Sequence, residues 1–258
     1  MDLLPVLGSR FSLPAAPWIM AQTWRNLLFA HWPVAPDRLR PLVPPGLTLD
    51  TFDGMAWLGV VAFRLSGVRF RGTPALPGVS AFPEINVRTY VTCGGESGVL
   101  FLSLDANNPP GIAVARPLFR LPYSYSRIAF AESAEGIRFQ SRRPAGARRP
   151  AAFDATYRPA GPVMRAAPGS LAAWLTERYG YYTAGPDGAL YHCAIQHAPW
   201  ALQPAAAVIH ENTMPAAHGL PLAGQPLLHY AHVTRAVFWP LRRLRAAPAA
   251  AFAPAPQG

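Results

Sequence analysis

Polar and apolar residues alternate most clearly in residues 82 to 91, which read FPEINVRTYV. Glu84, Asn86, Arg88 and Tyr90 occupy every second position, and the positions between them hold Ile, Val and Thr. Successive side chains of a β-strand point to opposite faces, so the segment is predicted to be a strand with one polar face. That face either contacts solvent or points into a polar cavity, and the pattern alone leaves both open.

A second alternating run, residues 98 to 106, is joined to the first through Gly94 and Gly95. Two such runs around a Gly-Gly turn predict an antiparallel hairpin. Further strands are predicted at residues 25–34, in two stretches of 55–72 that are separated at Ser66 and Gly67, and at 137–143, 151–159, 189–200 and 227–241.

Helical patterns are few and short. One helix is predicted to begin at Pro36, and a connector helix within 108–119 is predicted to stop before Pro117. The clearest helical pattern covers 169–182, with Ser170 as N-cap and apolar residues at one-face spacing. Because strands outnumber helices and no long βαβ alternation occurs, we expect an α+β fold that is predominantly antiparallel β, either a barrel or a pair of curved sheets.

No change in composition divides the chain into two folded units. We predict a single domain at residues 21–245, preceded by an extension at 1–20 and followed by a disordered Ala/Pro tail at 246–258. The chain shows neither a run of 18 apolar residues nor the pattern of a signal peptide. These features predict a soluble, cytoplasmic protein without a membrane partner.

Arginine supplies all 23 basic residues, and the formal net charge is +10. A basic surface can bind phosphates, but the densest basic run, residues 138–150, surrounds a Pro-Ala-Gly turn and contains one aromatic residue, Phe139. We interpret this run as a solvated hairpin or loop and do not expect nucleic acid as a partner, with a polyanion-binding patch as the alternative. The absence of lysine excludes a Schiff base on a side-chain amine and a Walker-type phosphate loop.

Seven histidines raise the question of a metal site. Three pairs are close in sequence: His192 and His197, His210 and His218, and His229 and His232. On strands, spacings of three and five residues place the two partners on opposite faces, and no HExxH or cysteine-rich motif occurs. We therefore predict no metal site and no bound cofactor.

Nine segments between residues 20 and 245 carry a family resemblance. They read HWPV, VPPGLTLDTFDGMAWLGVVAF, FPEINVRTYV, FLSLDA, LPYS, LTERYGYYT, HAPW, ENTM and PLLHYA. With these segments the chain resembles the YqjF-like family of bacterial proteins, within the acetoacetate decarboxylase-like superfamily. The resemblance implies a conical, largely antiparallel β-barrel that encloses a pocket, with a few peripheral helices. Members of the superfamily often form large symmetric assemblies, so a homo-oligomer is left open.

The resemblance also implies where the superfamily's site residues fall. Its active-site arginine corresponds to Arg25, and its catalytic glutamate corresponds to Glu84. Where the decarboxylases carry two lysines, one of which forms the Schiff base, this chain has Tyr123 and Ser124. Those enzymes decarboxylate a β-keto acid through a protonated imine, so the resemblance implies a related pocket that cannot use that route.

Glu84 is the candidate acid/base, because an enclosed glutamate has a raised pKa unless an arginine pairs with it. Arg88, on the same strand face, could clamp an anionic ligand or merely neutralise Glu84. Arg25, Tyr123 and Ser124 are the other candidate ligand-binding residues. The alternatives are a solvent-facing ion pair for Glu84 and simple packing for Tyr123.

These residues predict a pocket that binds a small acidic or carbonyl-containing molecule. Whether the protein is an enzyme is left open; proton-transfer or lyase chemistry without a cofactor is the class that the residues favour. The alternative is a non-catalytic ligand sensor or a structural barrel protein.

Overall fold

The computed structural model describes residues 14–244 and consists mainly of β-strands. Its strands are β1 (Met20–Val34), β2 (Thr48–Leu49), β3 (Ala56–Phe70), β4 (Phe82–Cys93), β5 (Glu96–Ala106), β6 (Tyr123–Tyr125), β7 (Arg127–Ser133), β8 (Gly136–Arg142), β9 (Ala152–Pro159), β10 (Gly180–Ala184), β11 (Leu190–His197), β12 (Leu202–Asn212), β13 (Leu227–Phe238) and β14 (Arg242–Arg243). The α-helices are α1 (Pro36–Leu39), α2 (Pro109–Phe119) and α3 (Leu171–Thr176), with 3-10 turns at Arg40–Leu42 and Ala216–His218. The prediction of a predominantly antiparallel α+β fold is confirmed.

Seven of the strands form a closed ring, in the order β1, β3, β4, β5, β10, β11, β13 and back to β1. Neighbours in the ring are antiparallel except β5 and β10, which pair in parallel between Val99–Leu100 and Tyr181–Tyr182. The ring closes through a short ladder between β11 and β13, which begins at the pair Ile195 and Phe238. A ring of this kind has an interior face on which alternate side chains of every strand meet.

A second sheet extends from the ring and covers part of its outside. Strand β12 pairs with β13 at its start and with β9 further on, and β9, β8 and β7 follow as an antiparallel series. The largest hydrophobic core lies between this outer sheet and the outer face of β1, β3 and β4. Ile85 and Val87 of β4 are fully buried in that core beside Phe139 and Phe153, which explains their apolar character.

The hairpin of β4 and β5 has the predicted form. Its turn residues, Gly94 and Gly95, have φ values of 59° and 83°. Left-handed backbone at both central residues is what a tight hairpin turn requires and what glycine adopts without strain. The local sequence was therefore sufficient to predict this unit.

Two predicted boundaries were wrong. The two stretches predicted within 55–72 form a single strand, β3, because Gly67 bends the strand through a left-handed φ of 61° without ending it. Helix α2 continues through Pro117 to Phe119. Ala113, whose carbonyl loses its helical donor at Pro117, is exposed, so water can bond to that carbonyl.

The helix predicted at 169–182 was also wrong in its second half. Ser170 accepts a hydrogen bond from the backbone N–H of Ala173 as predicted, but the helix ends at Thr176 and β10 begins at Gly180. A Cβ atom at Gly180 would lie 2.9 Å from the backbone carbonyl oxygen of Cys193 on β11, which cannot move aside as a side chain can, so only glycine fits here. Residues 180–184 therefore form β10, paired with β5 and β11, although the helical pattern of the sequence extends to residue 182. Strand β12 was not predicted at all.

The basic run at 138–150 forms most of β8 and the loop to β9, which confirms a hairpin, but Arg143 is buried, so the run is not solvated throughout. Three of its arginines form ion pairs within the chain: Arg138 with Asp154, Arg142 with Glu211 and Arg143 with Asp105. Much of its charge is therefore already neutralised.

The predicted tail at 246–258 and most of the predicted extension at 1–20 lie outside the described residues. Within residues 14–244, no helix is both long enough and apolar enough to cross a membrane.

Candidate functional site

A cavity of about 320 Å³ lies inside the ring. This volume falls at the lower end of the range that is usual for small-molecule sites, ~300 to 1,000 Å³. Most of its wall is apolar, including Leu27, Phe29, Phe63, Phe101 and Tyr181. Asn108, the N-cap of α2, donates a hydrogen bond to the carbonyl of Val79, so α2 and the loop between β3 and β4 are joined at one end of the cavity.

The polar face of β4 forms one side of this cavity. Phe82, Glu84, Asn86 and Arg88 are consecutive members of that face, and all four line the cavity. Glu84 and Asn86 are each only 4% exposed. The even-numbered side chains of the strand therefore point inward, because the odd-numbered ones occupy the core between the ring and the outer sheet.

Tyr123 contacts Glu84 across the wall of the cavity. Its hydroxyl donates a hydrogen bond of 2.7 Å to Glu84 Oε2. Tyr123 is held in place from two sides: β6 pairs in parallel with β5 opposite Leu104, and the Arg116 guanidinium on α2 donates two hydrogen bonds to the Tyr123 carbonyl. Two predicted site residues, far apart in sequence, are thus in direct contact.

Burial raises the pKa of Glu84 to about 8, although the hydrogen bond from Tyr123 acts in the opposite direction. Burial and the neighbouring Glu84 also raise the pKa of Tyr123 well above its usual value. At neutral pH most molecules therefore carry a protonated Glu84, which can donate a proton to a bound molecule. Above pH 8 the same carboxylate could act as a base.

Arg88 lies four residues along β4 from Glu84 and does not pair with it. Its guanidinium carbon is 5.4 Å from the ring centroid of Phe29 and 5.8 Å from that of Tyr90, so it is held by cation–π contacts. Its Nε atom is buried without an acceptor, and none of the ion pairs found in residues 14–244 includes it. Of the two roles predicted for Arg88, neutralising Glu84 is excluded by this arrangement.

A second arginine, Arg178, lines the same cavity and was missed by the sequence analysis. It is 7% exposed, follows α3, and donates from Nη1 to Asp50 Oδ2 at 2.7 Å. Its guanidinium carbon lies 4.4 Å from the Trp174 ring centroid and 4.9 Å from the Tyr90 centroid. Within the helix predicted at 169–182, no sequence signal marked this arginine as buried.

His197 also lines the cavity. It is buried among aromatic rings, with its ring centroid 4.8 Å from that of Trp200 and 5.8 Å from that of Trp24. Burial lowers its pKa. His197 is therefore neutral near pH 7 and adds no charge to the site.

Arg25 does not line the cavity, contrary to what the family resemblance implied. Its side chain is exposed, and its Nε donates to Ser66 Oγ at 3.1 Å. The reason is a bulge at Asn26, whose φ of 54° interrupts the alternation of β1. Trp24 and Leu27 both face the cavity as a result, and Arg25 faces outward.

Ser124 also lies outside the cavity wall. It is the neighbour of Tyr123 on β6 and pairs with Asp105 of β5. Since alternate residues of a strand face opposite sides, a Tyr123 side chain in the cavity wall places the Ser124 side chain on the other side. Ser124 is half-buried there.

The described part of the chain contains no group of three or more His, Cys, Asp or Glu side chains placed to hold a metal ion.

Comparison with known proteins links the chain to one family and one fold. The Bacillus subtilis (strain 168) protein YqjF, an uncharacterized protein, is 46% identical over 233 residues, which is 90% of this chain and 95% of YqjF. Among solved structures, the fold is similar to that of an acetoacetate decarboxylase-like enzyme from Sphingomonas wittichii RW1, with a TM-score of 0.59 at 15% identity over 93% of this chain and 99% of that one.

Two further structures share the fold. The acetoacetate decarboxylase of Legionella pneumophila has a TM-score of 0.58 at 15% identity, over 91% of this chain and 93% of that one. The enduracididine biosynthesis enzyme MppR, solved in complex with pyruvate, has a TM-score of 0.56 at 16% identity, over 93% and 94%. The family model DUF2071, described as an uncharacterized conserved protein, matches residues 21–235, and the chain therefore belongs to that family.

Proposed function

We propose that the cavity binds a small acidic or carbonyl-containing molecule and that Glu84, assisted by Tyr123, transfers a proton to or from it. One observation carries the proposal: a buried carboxyl with a pKa of about 8 accepts a hydrogen bond from a buried phenol in the wall of a cavity. Perturbed titratable groups in a concave site are typical of acid/base catalysis.

The two groups divide the chemistry between them. Glu84 lies in a largely apolar wall, where a carboxyl group exchanges a proton with a carbon acid or a carbonyl oxygen near neutral pH. The Tyr123 hydroxyl holds one oxygen of that carboxyl and fixes its orientation. Because the chain contains no lysine, the reaction proceeds without an imine, as cofactor-free enolisation or lyase chemistry.

The class of ligand is supported by a protein of the same fold. MppR has been solved with pyruvate, which combines a carboxylate and a carbonyl group. The cavity of this chain offers an acid, Glu84, and the two buried arginines Arg88 and Arg178 to the same combination of groups, and the half-buried Arg69 also lines it.

Proton exchange in heavy water tests the proposal directly. A panel of 2-oxo acids, 3-oxo acids and methyl ketones is incubated with the protein in D2O, and loss of the α-C–H signal is followed by proton NMR. We expect the wild type to exchange α-protons for deuterons and Glu84→Gln to lose at least about tenfold of this rate, since a general base contributes ~10² to 10⁴. Glu135→Gln, which changes an exposed carboxylate, is the control. Equal rates in the wild type and Glu84→Gln contradict the role of Glu84.

The missing lysines favour a second candidate, a ligand sensor without turnover. A compound that raises the melting temperature but stays chemically unchanged and shows no α-proton exchange after long incubation supports this alternative.

A further inference from the structure

The end of the cavity that lies away from α2 carries an uncompensated positive charge. Arg88 and Arg178 both flank Tyr90, with guanidinium carbons 5.8 Å and 4.9 Å from its ring centroid. Asp50 is the one carboxylate in residues 14–244 that forms an ion pair with either of them. Two cations therefore share one anion.

Both arginines also keep a hydrogen-bond donor without an acceptor. Arg88 Nε and Arg178 Nη2 are buried and have no partner among the described atoms. Buried N–H groups in folded proteins almost always have an acceptor, so two free donors on neighbouring cavity-lining arginines indicate a place for an anionic oxygen. Burial, and to a smaller extent repulsion from Arg88, lowers the pKa of Arg178, although the ion pair with Asp50 acts in the opposite direction.

None of the other titratable groups of the wall supplies the missing negative charge: Arg69, half-buried beside Phe70, is itself a cation. Glu84 is mostly protonated at neutral pH because its pKa is about 8, and His197 is neutral because burial lowers its pKa. A single negative charge on a bound molecule would balance the group formed by Arg88, Arg178 and Asp50.

The opposite end of the cavity suits an apolar chain. Phe70, Leu76 and Val114 line it there and are 39%, 58% and 47% exposed, so the cavity reaches the surface between the loop after β3 and helix α2. Along β4 the distance from Phe82 at this mouth to Arg88 is six residues, or roughly 20 Å at ~3.3 Å per residue. The wall between them is mainly aliphatic and aromatic.

From these observations we propose that Arg88 and Arg178 form a carboxylate subsite and that the ligand is an aliphatic monocarboxylic acid. Its carboxylate lies against the two guanidinium groups, and its chain passes Glu84 toward the mouth. This inference rests on the proposed ligand-binding function of the cavity and names the chemical class of the ligand.

Isothermal titration with matched compounds tests the subsite. Octanoate carries the charge and the chain, octanamide has the chain without the charge, and acetate has the charge without the chain. We expect octanoate to bind about tenfold or more tightly than either of the others, because charge-assisted hydrogen bonds and apolar burial both contribute. Hexanoate and decanoate complete the series of chain lengths.

The variants separate the arginines from the rest of the site. Arg88→Met should weaken octanoate binding by about tenfold and leave octanamide binding unchanged. Arg25→Met, which removes an exposed arginine of the same ring, is the control and should bind octanoate like the wild type. If circular dichroism shows that Arg178→Met is folded, this variant should weaken octanoate binding as Arg88→Met does. If it is not folded, the result for Arg88→Met decides, because that substitution breaks no ion pair.

Three results would overturn the inference: no binding of any carboxylate in the series, equal binding of octanoate and octanamide, or equal binding of octanoate by the wild type and Arg88→Met. The variant Glu84→Gln distinguishes a failure of the carboxylate subsite from a failure of the proposed proton transfer. The subsite predicts that this variant still binds octanoate, whereas proton exchange depends on Glu84 itself.

Discussion

Glu84 and Asp105 are both buried carboxyl residues on adjacent strands, yet they have opposite surroundings. Asp105 pairs with Ile85 in the ladder of β4 and β5, so its side chain lies on the face opposite to that of Glu84. On that face it accepts two hydrogen bonds of 2.7 Å from the Arg143 guanidinium and one from Ser126. Glu84 instead contacts a neutral phenol. Asp105 is therefore held in an ion pair, whereas Glu84 is available to exchange a proton.

The ion pair of Asp105 should be important for stability. Asp105→Asn leaves the Arg143 side chain, which is 4% exposed, buried without its counter-ion, and we expect a loss of about 3 to 5 kcal/mol in the free energy of unfolding. Glu211→Gln, which breaks the exposed pair with Arg142, should cost less than about 1 kcal/mol. Urea denaturation of both variants measures the difference, and equal losses would contradict the assignment.

The pH dependence of stability should report the raised pKa of Glu84. Its pKa in the folded state is about 8, above the usual 4.5, so the folded state holds this proton more tightly than the unfolded state does. The resulting stabilisation is full below about pH 4.5 and is lost as the pH rises through 8, by at most about 1.4 kcal/mol per pH unit.

Comparison with Glu84→Gln isolates this effect, because the amide does not titrate. Between pH 5 and pH 9, the free energy of unfolding of the wild type should fall by up to about 4 kcal/mol relative to that of Glu84→Gln, as measured by denaturation. Glu135→Gln should keep the pH profile of the wild type, since its side chain is exposed. If the unfolding free energies of the wild type and Glu84→Gln changed with pH in the same way over this range, Glu84 would have an ordinary pKa.

Tyr123→Phe should move the titration of Glu84 to higher pH. The phenol hydrogen bond lowers the pKa of Glu84 against the larger effect of burial, so its removal leaves burial unopposed. Carbon-13 NMR of the glutamate carboxyl groups would follow the midpoint. Tyr125→Phe, which alters an exposed tyrosine of the same strand, should leave the midpoint unchanged; a downward shift in Tyr123→Phe would contradict the geometry.

The net charge of +10 should not produce stable complexes with nucleic acid. Arg138, Arg142 and Arg143 of the basic run are already paired with carboxylates, so few free cations remain there to displace counter-ions from phosphates. A gel-shift assay at near-physiological salt should show no retention of DNA or RNA. Retention that is abolished in Arg148→Ala/Arg149→Ala would restore the polyanion-binding alternative.

Local patterns were enough to predict one wall of the site. The hairpin of β4 and β5 depends on neighbouring residues only, because its turn glycines and its alternating strands are both local. The same alternation puts Glu84 and Arg88 on the face opposite to Ile85 and Val87. Because Ile85 and Val87 are buried in the core under the outer sheet, Glu84 and Arg88 point into the cavity. The assignment of Tyr123 came from the family resemblance.

Other parts of the site depend on contacts that are distant in sequence. The bulge at Asn26 reverses the side-chain parity of β1 and turns Arg25 outward. Asparagine adopts a left-handed φ more readily than most residues, but the sequence alone does not show that Asn26 does so. The end of α3 at Thr176 is set by the pairing of β10 with β5 and β11, and this pairing carries Arg178 into the cavity.

The sequence by itself determined the antiparallel β architecture, the absence of lysine chemistry and the polar face of β4, since composition and period-two alternation are properties of the chain alone. Only the tertiary structure decided which charges share the interior. Whether a buried carboxyl meets an arginine or a phenol depends on strand register and bulges, and these are fixed when the ring closes. In the folded protein Glu84 is hydrogen-bonded to Tyr123, and Arg88 lies with Arg178 beside Tyr90.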